Sequence, residues 1–210
     1  MEDIVIIGFG GHAKSIADAI ECGKQYHIVG YTDMQDNHCR YPYLGTDDAL
    51  ADIYAGGTHK AVLGVGFLGE STLRDKLVAG AKEIGFEFPV VVDPSAIVAQ
   101  DAVIGQGTFV GKGAILNAEA NVGDFCIINT GAILEHECVV GDFSHVSVGS
   151  NLCGQVTVGT HSMVGSGATV VQCKHIGDHV IVGAGAVVTT DLQDCCVAVG
   201  VPAKIIKTLA

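Results

Sequence analysis

The chain has 210 residues, enough for one large domain or two small ones. Eleven Lys and Arg against twenty-three Asp and Glu give a net charge of −12, which excludes the basic field of a nucleic-acid binder. Hydrophobic residues are 49% of the chain, yet no run of consecutive apolar residues approaches the roughly 18 of a membrane span, so no membrane insertion is expected.

The first residues, MEDIVIIGFGG, carry acidic groups where a secretion signal needs basic ones. Eight cysteines without a Cys-x-x-Cys pair read as reduced thiols packed as small residues, so a cytoplasmic protein without a metal site is expected. Ile4–Ile7 reads as a buried strand, and Gly8-Phe9-Gly10-Gly11-His12 as a tight turn. A helix-like stretch follows from Ala13 to Cys22. His27–Thr32 is a second strand ending at Asp33, and Ala61–Val65 a third ending at Gly66. Residues Glu70 to Ile84 read as a helix with Leu73, Leu77, Ala81 and Ile84 on one face, and Phe86–Val92 as a fourth strand. Alternating strand and helix indicate a small Rossmann-like parallel α/β domain over residues 1–92, with Asp93-Pro94 at the junction. Glycines let the backbone approach a phosphate, and a helix N-terminus favours an anion. Gly8-x-Gly10-x-x-Ala13 nearly matches a dinucleotide fingerprint, but about 90 residues are too few for a two-lobed dinucleotide site. A ligand of one nucleotide fits better, with Asp33 as an acceptor for its ribose or base.

From residue 93 onward a period of six takes over. Stepping by six from Val98 to Val188, sixteen successive positions hold Val, Ile or Leu. Two residues before each stands a small residue, such as Ala114, Ala120, Cys126 and Ala132; Val156, Lys174 and Val180 are exceptions. Gly or Asn dominates one residue after, where a turn conformation penalised by Cβ is expected. Each hexad is then a short strand plus a corner, and three hexads close a triangular coil. Gly105, Gly123, Gly141, Gly159 and Gly177, spaced by eighteen, mark one corner. About five coils at ~4.8 Å spacing would stack into a prism.

One segment departs from the bland repeat: Leu134-Glu135-His136-Glu137-Cys138, with His145 nine residues on in Phe143-Ser144-His145. A neutral His oriented by a carboxylate suits general-base work near pH 7, with Glu137 the orienter and Glu135 the reserve. Half a coil separates the two His, which places them on different faces. A shared site would lie between subunits, and a trimer is natural for a triangular prism. His27, His38, His59, His161, His175 and His179 read as structural or exposed. A covalent route through Cys138 is the weaker alternative.

With its Gly-Gly-His turn, hexapeptide coils, Glu-His-Glu and Phe-Ser-His, the whole chain resembles the hexapeptide-repeat nucleotide-sugar N-acetyltransferases of the bacillosamine type. That broad family also includes the sialic acid O-acetyltransferases. The resemblance implies a left-handed parallel β-helix over residues 93–210. It implies acetyl-CoA as donor, no metal, and a UDP-linked 4-amino sugar for surface glycans as acceptor. His136 then matches the general base and Glu137 the group that raises its basicity. His145, Ser166 and Ala184 match the acetyl-CoA site. Gly10, Gly11 and His12 match the phosphate turn, Asp33 and Met34 the nucleoside pair, and Gly66 the residue closing that pocket. Met34 stands where a second Asp is frequent, which bears on the choice of nucleotide. No large loop interrupts the hexads, so the acceptor site should be open. Two alternatives stay open: O-acetylation of sialic acid or another sugar, and a non-catalytic nucleotide-sugar-binding scaffold.

Overall fold

The structure, a computed structural model, describes residues 1–67, 69 and 72–209. It divides into two compact units, Met1–Gly66 with Ser71–Pro94, and Phe67–Glu70 with Ser95–Ala210.

Strand β1 (Glu2–Ile7) is the middle strand of a three-stranded parallel sheet, flanked by β2 (Tyr26–Thr32) and β3 (Lys60–Leu63). A central strand covered on both faces reads as an unbroken apolar run, and Ile4, Val5, Ile6 and Ile7 are all fully buried. The chain leaves β1 through Gly8 at φ +79, where a Cβ would come within 2.5 Å of Val65 Cγ2, so only glycine fits. Helix α1 (Gly11–Gly23) then buries Ala13, Ile16, Ala17, Ala19 and Ile20. It ends at Lys24 in the left-handed region, whose N–H donates to Ile20 O at 3.0 Å.

A short helix, α2 (Leu50–Ala55), has no counterpart in the sequence reading; six residues are too few to show a helical period. Helix α3 (Leu73–Ile84) buries Arg74, Val78 and Ala81, while Leu73 is exposed. The expected face of Leu73, Leu77 and Ile84 is therefore displaced by one residue, with only Ala81 shared. Arg74 takes a core position that its charge conceals in sequence, since its long apolar stem can pack as an aliphatic side chain does. Residues 70 and 71 of the expected helix lie outside the described residues. The expected strand Phe86–Val92 is reduced to a bridge between Glu87 and Lys60 and a two-residue strand, β4 (Val91–Val92). Pro89 explains the interruption, because it has no N–H to donate to a ladder.

The second unit is a left-handed parallel β-helix of two-residue strands. One face stacks six strands, from Ile97–Val98 through Ile133–Leu134 to Val187–Val188. A second stacks five, from Val103–Ile104 to His175–Ile176. The third runs from Phe109–Val110 through His145–Val146 to Ile181–Val182 and ends in an antiparallel pair, Cys196–Val199 with Lys204–Thr208. The register step is eighteen: Leu134 pairs with Leu116 on one side and Leu152 on the other. The six-residue aliphatics point inward, and Leu116, Leu134, Leu152, Val164, Ile176 and Val188 are all essentially inaccessible. Each such side chain contributes about 1.5–3 kcal/mol of burial before entropy is charged against it.

The small stripe has a second function beside size. Thr108, Cys126, Ser144 and Ser162 stack at eighteen-residue intervals, and each donates from Oγ1, Sγ or Oγ to a glycine carbonyl, Gly123, Gly141, Gly159 and Gly177 respectively. Thr108, Ser144 and Ser162 also accept a backbone N–H from the next coil. Buried hydroxyls are thereby paired in both directions, which removes the cost of burying them.

The glycines spaced by eighteen require a different explanation from the expected one. Gly105, Gly123, Gly141, Gly159 and Gly177 do not lie in the left-handed region. They are glycine because the coils approach closely: a Cβ at Gly105 would come within 2.4 Å of Asp124 Oδ1, and one at Gly177 within 2.1 Å of Asp194 Oδ1. The left-handed residue of each corner comes three places after the aliphatic, as in Gly113 (φ +61) after Val110 and Glu137 (φ +59) after Leu134.

Candidate active site

His136 sits at the corner that follows the strand Ile133–Leu134. Its Nδ1 lies 3.0 Å from Glu137 Oε2, and both side chains are about half exposed. The His136 hydrogen bond, and then one from Gln155, hold the Glu137 carboxyl below its ordinary value. An ionised carboxylate can only accept, so His136 Nδ1 carries the hydrogen, and in the neutral form of the ring Nε2 then holds the lone pair. The imidazole lies over the backbone of the next coil: a Cβ at Gly154 would come within 2.4 Å of His136 Nε2 and 2.6 Å of Cε1. Glycine at 154 is therefore what leaves room for the ring. Gln155 N–H donates to the His136 carbonyl at 2.9 Å, and Gln155 Nε2 donates to Glu137 Oε2 at 3.0 Å.

His145 lies on the strand His145–Val146, on a different face from the Ile133–Leu134 strand. Its Nε2 is 3.1 Å from Asn129 Nδ2, and the ring of Phe67 lies 6.1 Å away. Ser166 and Ala184 are exposed and stack on one corner, joined by the Gly185 N–H donating to the Ser166 carbonyl at 2.9 Å. That corner follows the face bearing His145 and is separate from the corner of His136. One chain thus gathers His145, Ser166 and Ala184 along one side and the His136–Glu137 pair at the next corner.

In the first unit, Gly10 and Gly11 are exposed at the start of α1, and a Cβ at either would meet nothing within 4 Å. His12 is half-buried, and Gly66 packs by it, a Cβ there lying 3.5 Å from His12 Cβ. Asp33 is already occupied by its own chain: it accepts from Phe9 N–H (2.8 Å), Met34 N–H (2.7 Å) and Asn37 Nδ2 (2.9 Å). It ties the end of β2 to the Gly-rich turn, while Met34 is 84% exposed. Two adjoining cavities open beside the turn. One, of about 390 Å³, is lined by Gly10, Gly11, Lys14, Asn37 and His38; the other, of about 350 Å³, by Phe9, Lys14, Ala17, Arg40 and Tyr41. Polar donors and a lysine at a helix N-terminus suit phosphate, and the aromatic-walled cavity suits a flat ring.

The sequence reading passed over Gly154, Gln155, Asn129 and Lys14. The first two were within reach, since adding eighteen to 136 and 137 places them directly against the pair. Cys138 is unsuited to nucleophilic work: it is fully buried, its Sγ–H donates to the Cys153 carbonyl, and burial pushes its thiol up to about 11. Among the described residues, no group of three or more His, Cys, Asp or Glu is arranged to hold a metal, and no helix is long and apolar enough to cross a membrane.

A family model described as the PglD N-terminal domain matches residues 3–79. The chain is 34% identical over 121 residues to the UDP-N-acetylbacillosamine N-acetyltransferase of Bacillus subtilis (strain 168), a match covering 52% of this chain and 51% of that protein. Solved structures match along nearly the whole length. A mutant of perosamine N-acetyltransferase from Caulobacter crescentus, in complex with CoA and GDP-perosamine, superposes with a TM-score of 0.93 at 35% identity, covering 99% of this chain and 98% of that one. The acetyltransferase domain of PglB from Neisseria gonorrhoeae FA1090 superposes with a TM-score of 0.91 at 32% identity, covering 98% and 100%.

Proposed function

The chain belongs to the hexapeptide-repeat family of nucleotide-sugar acetyltransferases, and from that premise we propose that it moves the acetyl group of acetyl-CoA onto the 4-amino group of a nucleotide-linked amino sugar. In this reading the nucleotide is UDP, the product serves surface-glycan synthesis, and the enzyme works in the cytoplasm. The observation that carries the reading is the His136 Nδ1–Glu137 Oε2 contact of 3.0 Å at an otherwise repetitive corner.

The chemistry follows from that contact. The sugar amine adds to the thioester carbonyl of acetyl-CoA, and its proton passes to Nε2 of neutral His136. The C–S bond then breaks, the amide remains on the sugar, and the CoA thiolate takes the proton back from His136. Glu137 stabilises the transient imidazolium and fixes the ring so that Nε2 faces the amine. His145, Ser166 and Ala184 receive acetyl-CoA. Residues 1–92 form the nucleotide-sugar-binding domain: Gly10, Gly11 and His12, with Lys14, take the phosphates, while Asp33 and Met34 meet the nucleoside and Gly66 closes that pocket.

Because His136 and the acetyl-CoA residues occupy different corners of one prism, we read the complete site as one formed by neighbouring copies in a homotrimer.

A thiol-release assay tests this: acetyl-CoA with UDP- and GDP-linked 4-amino sugars and with free sialic acid. Rapid CoA release with a nucleotide 4-amino sugar supports the reading and identifies the nucleotide. Release with sialic acid alone would move the protein to O-acetylation, and no acetyl-CoA binding at all would make it a scaffold.

A further inference from the structure

Gln155 is an exposed side chain at a backbone position that disfavours it. Its φ of +60 lies in the left-handed region, where a residue with a Cβ carries roughly 1–2 kcal/mol of strain that glycine avoids. The equivalent residue at another corner is glycine in five successive coils, Gly113 to Gly185. A strained, exposed glutamine that packs in no core calls for another reason to be there.

The side chain supplies one. Gln155 Nε2 donates to Glu137 Oε2 at 3.0 Å, and this is the same oxygen that lies 3.0 Å from His136 Nδ1. On the other end of the amide, the Cys173 thiol donates to Gln155 Oε1 at 3.3 Å. The two contacts agree on one orientation: a thiol donor requires the carbonyl end, and a carboxylate requires the NH₂ end. Glu137, Gln155 and Cys173 are successive residues of one stack, eighteen apart, with φ of 59, 60 and 57. Glu137 is about half exposed, and its side-chain partners among the described residues are His136 and Gln155.

We propose that Gln155 is a positioning residue for acetyl transfer: its amide, oriented by the Cys173 thiol, holds Glu137 Oε2 where it receives the Nδ1–H of His136. This rests on His136 and Glu137 acting as proposed above. The coil after the one that carries the base therefore serves as its mount, with Gln155 under the carboxylate and Gly154 under the ring. The lowered Glu137 carboxyl, which owes its shift to His136 first and Gln155 second, agrees with that arrangement.

Gln155→Gly provides the test, because glycine suits φ +60 better than glutamine and so removes the amide without adding backbone strain. The full-length variant should melt no lower than the parent. Its kcat should fall about ten-fold, the loss expected when one hydrogen bond to a charged group is removed, with KM for acetyl-CoA and for the sugar nucleotide unchanged. The carboxyl ¹³C titration of Glu137 should move upward, toward the ordinary carboxylate value, because a group that lowered it is gone. A purely structural Gln155 would leave both kcat and that titration alone. His136→Ala, run beside it, separates the two claims. An inactive His136→Ala with an unaltered Gln155→Gly would overturn the positioning role alone. An active His136→Ala would overturn the reading of the site and the positioning role with it.

Discussion

Two corners of the β-helix turn the chain through the same left-handed residue and build it from different materials. At the corner after the His145 face that residue is Gly113, Gly131, Gly149, Gly167 and Gly185, with φ between +61 and +67. At the corner after the Ile133–Leu134 face it is Glu119, Glu137, Gln155 and Cys173, with φ between +57 and +60. Glycine meets the backbone requirement without strain. The second corner accepts the strain of a Cβ and gains in return a column of polar side chains, with His136 and Gly154 one position ahead of two of its members. A third corner takes another course, stacking Phe125, Phe143, His161 and His179 with ring centroids 5.1 Å apart. Backbone geometry is therefore shared by all three corners, and the side chains in the left-handed position differ: glycine at one, aromatic rings at another, and the polar column beside His136 at the third.

The strongest way to break that comparison is His136→Ala. A positioned base is worth about 10²–10⁴ in rate, so kcat in the thiol-release assay should fall by that factor with acetyl-CoA binding little changed. Near-normal turnover would remove the polar corner from the chemistry. Gly154→Ala comes next. Its Cβ would overlap the His136 ring, which must move, and a displacement of about 1 Å can cost about 10² in rate. Because Gly154 is not left-handed, the backbone tolerates alanine, and circular dichroism should show an unchanged fold. Smaller still is Glu137→Gln. It keeps an acceptor for Nδ1–H but loses the charge that stabilises the imidazolium, so kcat should fall about ten-fold, the difference between a charged and a neutral hydrogen-bond partner. An unchanged kcat would reduce Glu137 to a turn residue.

Much of this arrangement can be read from the residues. The β-helix is legible because its interior repeats every six, and the step from Val98 to Val188 carries an inward residue at every stage. The His136–Glu137 pair is legible because it interrupts that repetition. What escaped the reading has physical causes. The eighteen-spaced glycines read as left-handed, but close approach between coils also demands glycine, and composition does not distinguish the two demands. Gln155 stood in plain view at Glu137 plus eighteen, yet a lone exposed glutamine announces nothing until its partner is known. In the first unit, the α3 face was displaced because Arg74 does not look like a core residue. The hydrogen bonds of Asp33 to Phe9, Met34 and Asn37 span up to 24 residues and follow no period, so nothing in the sequence announces them.

Gly113→Ala tests the other side of the comparison and carries the smallest expected effect on activity. A Cβ at Gly113 would meet nothing within 4 Å, so only the backbone conformation is at stake. Holding alanine at φ +61 costs about 1–2 kcal/mol. For a chain of this size each kcal/mol lowers the melting temperature by roughly 2–4 °C. The variant should therefore melt a few degrees lower and turn over at the parent's rate, the reverse of Gly154→Ala, which should keep its fold and lose turnover. The pair separates the two uses of glycine on one scaffold: at 113 it relieves a dihedral, and at 154 it makes room for the His136 ring. If Gly113→Ala instead lost kcat as Gly154→Ala is expected to, the corners would not differ in function. The strain at Glu137 and Gln155 would then need another explanation.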